Sequence, residues 1–451
     1  MKELFLVHCV DTEGPLYESL TATFERIRQT FGLNFKPSTN QLNRLKAGKD
    51  VPEALRANVM DFVSDARLDY NATWTEVDAM LHELMSDDWR MRHADDFGNG
   101  YVFSWFVMDH VGFTTNPRQR ALGFHAVYEH YQQILSEYTP EHDALYWHFH
   151  PVPFSHAANR ASCNYSFTNC HIESIGRRLL DHLDFPSAFR PGLHCERPDI
   201  HLFLEMWIPV DFGNQAMPER AEDAIQKDVS GGRFGDWRRA KSTWGVYHPD
   251  WYDYQKPGGM KRYIARCLNL NARIRPITRE EIERAFRQVR NGEPTILSVT
   301  SHDQNKMGAP ITRYMDLIRD VQKQYPEVRI RHANAVDAVR RVCGVPEQSP
   351  VRFDIAWTGN RVDVRADKDI WGPQPWMSFK TLDQRYLHEN MDRQDGNHWS
   401  FTFDADSIPL GSLEAIAFAT NDNYFNSSAY RIPIVDGKPG EPESSFRNHK
   451  E

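Results

Sequence analysis

Residues 4–15 read Leu4-Phe5-Leu6-Val7-His8-Cys9-Val10-Asp11-Thr12-Glu13-Gly14-Pro15, and the choice of fold starts from them. The first seven are apolar apart from His8 and a Gly-Pro turn closes the segment, which predicts a short buried strand. Side chains alternate along a strand, so Asp11 and Glu13 leave its end on one face. α/β folds gather ligands at the carboxyl ends of parallel strands. Two acids at such an end suit metal binding combined with base chemistry. A structural strand followed by an acidic turn is the plainer alternative.

Working outward, Tyr17 to Phe31, Val51 to Arg67 and Trp74 to Met85 carry apolar residues at helical spacing. Thr73, with Glu76 three residues on, has the pattern of a capping box. A second buried strand is expected at Tyr101 to Val107. About 85 residues between two core strands exceeds ordinary connection lengths, so residues 16–100 read as an inserted helical lid or subdomain. The chain then alternates. Helices are expected at Pro117 to Glu137, Ile172 to Leu183, Thr278 to Asn291, Arg313 to Tyr325 and Ala333 to Val342. Between them fall strands at Ala144 to Phe149, Ser187 to Phe189, Pro294 to Thr300 and Val328 to Ile330. An apolar run from Met206 to Val210 ends in Asp211, and a Gly-rich stretch lies at Ser230-Gly231-Gly232. Such alternation predicts an α/β fold built from βα units, over residues 1–343. After Gly344 the pattern changes. Val351 to Trp357 alternates strictly, and Arg361 to Val364, His398 to Phe403, Glu414 to Ala419 and Tyr430 to Val435 follow between turn residues. This predicts an all-β sandwich over 351–436, with 437–451 as a disordered tail.

The chain has 451 residues, room for two or three domains with a large core. Its net charge of −9 and the lack of a long Lys/Arg run argue against nucleic acid as the main partner. No segment approaches the ~18–20 apolar residues of a membrane span. The Met-Lys-Glu start has neither the length nor the cleavage site of a signal peptide, so a cytoplasmic location is expected. Cys9, Cys163, Cys170, Cys195, Cys267 and Cys343 form no CxxC pair and are expected as free thiols. Whether the chain forms a homo-oligomer stays open.

Chemistry concentrates at the strand ends. His148 and His150 lie two apart on a strand, hence on one face, just before Pro151. Two imidazoles with one carboxylate form an open site for zinc or another divalent ion, while core or surface histidines are the alternative. Arg190 follows another strand and can orient a carboxylate by a bidentate pair, with Asp211 as its candidate partner. His302 closes the Ile296 to Val299 strand, where it can serve as a general acid or simply cap the strand. Trp244, Tyr247 and His248 form an aromatic cluster suited to stacking on sugar rings, or to packing beneath a loop.

In chain order, the segments at Asp11-Thr12-Glu13, His148-Phe149-His150, Arg190, Asp211 and His302 resemble the motifs of the polysaccharide deacetylase (NodB-homology) family, in the glycoside hydrolase/deacetylase superfamily. The resemblance implies an irregular seven-stranded β/α barrel and a divalent metal, usually zinc. It implies Asp11 as the base and Glu13, His148 and His150 as metal ligands. Arg190 and Asp211 would stand in the third and fourth motifs, and His302 would be the acid. The family's paired histidines are separated by three residues and these by one, so the second ligand is His150 or another residue such as His156. The implied activity is metal-dependent removal of an acetyl group from an N-acetylated sugar or sugar precursor in surface polysaccharide metabolism, with a carbohydrate as partner. A non-catalytic glycan- or protein-binding member, or a hydrolase of another C–N or glycosidic bond, is the alternative.

Overall fold

The structure, a computed structural model, describes residues 2–158, 162, 164–218, 235–272 and 275–448. Cys163 and the Ser230-Gly231-Gly232 stretch lie outside the described residues. The other five cysteines are free thiols.

The opening strand forms as read: β1 (Lys2–Thr12) is buried from Leu4 onward. β2 (Phe103–Met108), β3 (Ala144–Phe149), β4 (Ala188–Pro191) and β5 (Val210–Asn214) follow in parallel, each beside the last. A short antiparallel β6 (Val246–Tyr247) borders β7 (Tyr263–Arg266), and only Cys267 separates β7 from β8 (Leu268–Asn269). β7 bonds to β5, β8 bonds to β9 (Ile296–His302), and β9 bonds to β1. The bent stretch 263–269 therefore carries the hydrogen bonding from β5 round to β9. β10 (Val328–His332) pairs with the first half of β1. The sheet holds ten strands rather than seven, the surplus being β6, β10 and the split of one strand into β7 and β8.

Strand parity sorts the side chains into two layers. Phe5, Val7, Cys9, Phe106, Tyr146, Ala188, Val210, Phe212, Ala265 and Ile296 share one buried cluster, joined by Ala335, Val336 and Val339 of the helix Ala335–Val342. Leu4, Leu6, Val10, Trp105, Val107, Leu297 and Val299 face the other way. They pack beneath the helices Trp74–Met85, Ala126–Tyr138, Arg279–Arg290 and Gly308–Gln322. Each such side chain contributes roughly 1.5–3 kcal/mol by leaving water.

The segment 16–100 reads as one insertion but packs as two pieces. The helices Leu20–Phe31, Thr39–Lys46 and Glu53–Phe62 build a small core of their own from Phe24, Ile27, Leu45, Val59 and Phe62. The helix Trp74–Met85, started by the expected Thr73–Glu76 capping box, instead joins the main core through Val77, Leu81 and Leu84. The helix expected from Pro117 begins only at Ala126. Positive φ angles at Gln119, Gly123 and His125 hold the preceding residues in a loop.

Two antiparallel sheets follow: β11 (Phe353–Thr358), β12 (Arg361–Ala366), β15 (Asp392–Asp395) and β16 (His398–Thr402) in one, and β13 (Trp376–Thr381), β14 (Tyr386–Glu389), β17 (Leu413–Asn421) and β18 (Ser427–Val435) in the other. Their facing side chains form one core, including Val362, Trp399, Phe379, Ile416 and Ile432. The outer face of the second sheet presents Trp376, Ala415, Ala417, Ala419 and Ala429 to the helix Cys170–His182. Small residues let that helix sit close to the sheet. The tail expected to be disordered is corrected over 437–448, where β19 (Lys438–Pro439) and β20 (Glu443–Ser444) pair with β18, and 449–451 lie outside the described residues. Among the described residues, no helix is long and apolar enough to cross a membrane.

Candidate metal centre

The inward layer of the sheet turns polar at one end. Cys9 is followed two residues on by Asp11, Tyr146 by His148, and Ala188 by Arg190, so each polar group inherits the inward face of its strand. His302 ends β9, beside Asp11 in the β1–β9 register. All four stand at the carboxyl ends of neighbouring parallel strands, and Glu13 and His150 lie just beyond two of them.

Asp11 is gripped by a guanidinium fork. Arg190 Nε donates to Oδ1 at 2.6 Å and Nη2 to Oδ2 at 3.1 Å, while Nη1 donates to the Phe212 carbonyl at 2.5 Å. Burial opposes ionisation of Asp11, but Arg190 outweighs it and holds the carboxyl well below the usual carboxylate range. Glu13 points one oxygen at Arg120 and the other at three imidazoles. Its backbone is fixed as well: Asp303 accepts from the Glu13 and Gly14 amides, both at 2.9 Å, and from the Tyr131 hydroxyl at 2.9 Å. Gly14 itself has φ 74°, a conformation that suits glycine at this turn.

The donor set fits a divalent cation. His148 Nδ1 donates to the Arg190 carbonyl at 2.9 Å, which leaves the Nε2 lone pair free to ligate. That nitrogen lies 3.1 Å from His150 Nε2, and Glu13 Oε1 lies 3.8 Å and 3.5 Å from the two. Ligand atoms about 2.0–2.2 Å from a tetrahedral cation lie roughly 3.3–3.6 Å from one another. All three side chains are buried, and burial keeps both imidazoles neutral by lowering their pKa values. Gly192 makes the arrangement sterically feasible, since a Cβ there would overlap the His150 ring.

His302 Nε2 faces the same space, 3.7 Å from Asp11 Oδ2 and 3.8 Å from Glu13 Oε1. Burial lowers its pKa to about 4 against the pull of Asp11. His110 Nε2 donates to the Glu13 carbonyl at 2.9 Å.

Several expectations fail on geometry. Asp211 does not meet Arg190. The apolar run 206–210 is the end of the helix Pro198–Trp207 and the start of β5, so Asp211 is the second residue of its strand. It has the opposite parity to the inward Val210 and Phe212, and it accepts instead from Arg262 Nη1 at 2.8 Å. Trp244 is fully buried under the helix Arg279–Arg290 and donates to the Glu281 carbonyl at 2.9 Å. Tyr247 is buried with its hydroxyl on the Tyr254 carbonyl, and His248 packs on Tyr263. None of these three lines the cavity above the strand ends. His156 bonds the Gly112 carbonyl and stands outside the donor cluster.

The cavity walls come from segments without a motif. Asp11, Glu13, His194 and His302 form its floor. Arg26, Phe62, Arg67 and Tyr70 reach it from the first part of the insertion, and Arg118 from the loop before Ala126. An arginine on the polar side of a helix or in an irregular loop carries no periodic signal that would have singled it out.

No family model matches the sequence, and no curated protein does. Among solved structures there is similarity to a protein of Parabacteroides distasonis described as a candidate glycoside hydrolase/deacetylase, at 9% identity and a TM-score of 0.32, over 97% of this chain and 88% of that one.

Proposed function

We propose that this chain is a metal-dependent hydrolase that removes the acetyl group from an N-acetylated sugar or sugar precursor, of the kind used in surface polysaccharide metabolism. The observation that carries the reading is the convergence of Glu13 Oε1, His148 Nε2 and His150 Nε2 beside an Arg190-clamped Asp11. The mostly parallel sheet, taken as the irregular seven-stranded barrel that the motif order implies, supports it. Glu13, His148 and His150 would hold the cation, with zinc the best match to two imidazoles and one carboxylate. When bound, such a cation supplies a Lewis acid for the amide carbonyl and lowers the pKa of water.

The remaining steps belong to the side chains. Asp11, held ionised by Arg190, accepts a proton from water in the cavity. Arg190 also fixes the orientation of the carboxylate, because both of its oxygens are engaged. His302, whose Nε2 faces Asp11, takes up the proton that Asp11 removed from water and passes it to the departing amine nitrogen, which leaves Asp11 ionised again.

The test pairs metal analysis with acetate release. Purified protein loaded with zinc should retain about one ion per chain and release acetate from N-acetylglucosamine or its oligomers, with both lost on chelation. Glu13→Gln and His148→Ala should each weaken zinc binding at least about tenfold. Wild-type protein that holds no divalent metal, or variants that bind it as tightly as wild type, would overturn the assignment.

A further inference from the structure

Opposite the carboxylates and imidazoles, the cavity has a wall of guanidinium groups. Arg26 and Arg118 converge on a single buried carboxylate: Arg26 Nη1 lies 2.7 Å from Glu18 Oε1, and Arg118 Nε lies 2.9 Å from Glu18 Oε2. Both guanidiniums are braced by aromatic faces, Arg26 over Phe62 at 4.6 Å and Arg118 over Tyr70 at 5.3 Å. The Tyr70 hydroxyl lies 3.3 Å from Arg26 Nη1. Arg67 completes the wall, one nitrogen on the Asn271 carbonyl at 3.0 Å and two others reaching a half-exposed Asp61 at 3.4 Å.

A staple joining the insertion to the loop 116–120 would need one cation for Glu18. Here two guanidiniums share it, both only 14% exposed, and the Arg26 Nε proton has no acceptor among the described residues. Partly buried charge in excess of its partners is destabilising unless something else compensates it. Planar guanidiniums held flat on rings are pre-organised for forked bonds to oxyanions. We infer that Arg26, Arg67 and Arg118 form a subsite for an anionic oxygen group, a phosphate ester or a carboxylate, on the sugar whose acetamide reaches the strand ends. The subsite rests on the reading of this cavity as a sugar-binding cleft. It narrows the substrate from any N-acetylated sugar or sugar precursor to one that carries an anionic group.

The measurement is equilibrium binding to the zinc-loaded protein of N-acetylglucosamine, N-acetylglucosamine 1-phosphate and N-acetylmuramic acid, with inorganic phosphate as competitor. At least one charged sugar should bind about tenfold or more tighter than the neutral one, the larger gain telling phosphate from carboxylate. That gain should shrink with added salt and with inorganic phosphate, and fall about tenfold in Arg118→Gln. Arg67→Gln, which removes the more exposed of the cations, gives the same reading in a variant whose fold is not at stake. Equal affinity for all three sugars would overturn the subsite, as would Arg67→Gln and Arg118→Gln weakening all three alike. Because affinity is read rather than acetate release, the two proposals fail separately. Arginine-dependent binding of a charged sugar without turnover upholds the subsite and overturns the deacetylase. Acetate release without charge preference does the reverse.

Discussion

Two buried guanidinium–carboxylate knots lie on neighbouring strands, and they have opposite meanings. Arg190 with Asp11 is on the inward face of the sheet and opens on the cavity, next to Glu13 and His302. Arg262 with Asp211 and Glu196 is on the outward face, closed over by His201, and none of its members lines the cavity. Both are buried, and both pair a guanidinium with a carboxylate. Parity separates them: Arg190 follows the inward Ala188 by two residues, whereas Asp211 lies between the inward Val210 and Phe212. The lesson is that burial and pairing do not distinguish the two carboxylates, whereas the face of the strand decides which of them reaches the cavity.

The comparison is broken most directly by replacing one acid in each knot with its amide. Asp11→Asn should lower acetate release about 10²–10⁴-fold, the usual worth of a positioned base, with zinc binding retained. Asp211→Asn should leave the turnover rate within a few-fold of wild type, since its partners Arg262 and the Gly213 amide do not line the cavity. Equal losses in the two variants would erase the distinction drawn from parity. Arg262→Leu acts on stability instead. It strips two buried acids of their shared cation, so urea unfolding should show a loss of about 3–5 kcal/mol. A change below about 1 kcal/mol, the scale of a surface ion pair, would mean that the outward knot is not the structural element its burial suggests.

Much of this was open to reading in the chain itself, wherever one signal dominated. Leu4 to Val10 ending in Gly14-Pro15 had a single reading as a buried strand, and the spacing of Asp11 to Glu13 and of His148 to His150 placed each pair on one face. Thr73 and Glu76 marked a helix start by the chemistry of the cap. Asp211 was misplaced because Met206-Trp207-Ile208-Pro209-Val210 is apolar across a helix end and a strand start, so the boundary between them leaves no trace. Trp244 and Tyr247 were misplaced because an aromatic under a loop and one facing a ligand have the same sequence. β15 was missed because all four of its residues are exposed and none alternates with an apolar neighbour. Arg26, Arg67 and Arg118 became visible only when the insertion was seen folded over the strand ends.

The smallest effect is also the most specific to the outward knot. Burial, then the nearby Glu196, pushes the Asp211 carboxyl well above its ordinary value, against the pull of Arg262. The folded chain therefore keeps a proton at Asp211 that the unfolded chain releases near pH 4. Above that pH the folded state binds more protons than the unfolded state, so stability falls as pH rises until the folded carboxyl titrates. One such group contributes a slope of at most about 1.4 kcal/mol per pH unit. Asparagine cannot titrate, so Asp211→Asn should remove this slope. Urea unfolding of wild type and variant at pH 5, 6, 7 and 8 should show the variant gaining on wild type as pH rises. At Asp11 the sign reverses, because Arg190 keeps that carboxyl ionised. Its contribution is complete above pH 4 and is lost only as acid protonates it, so Asp11→Asn and wild type should run parallel over the same range. Parallel curves for Asp211→Asn too would show that the outward acids share no proton, and the two knots would then differ in position alone.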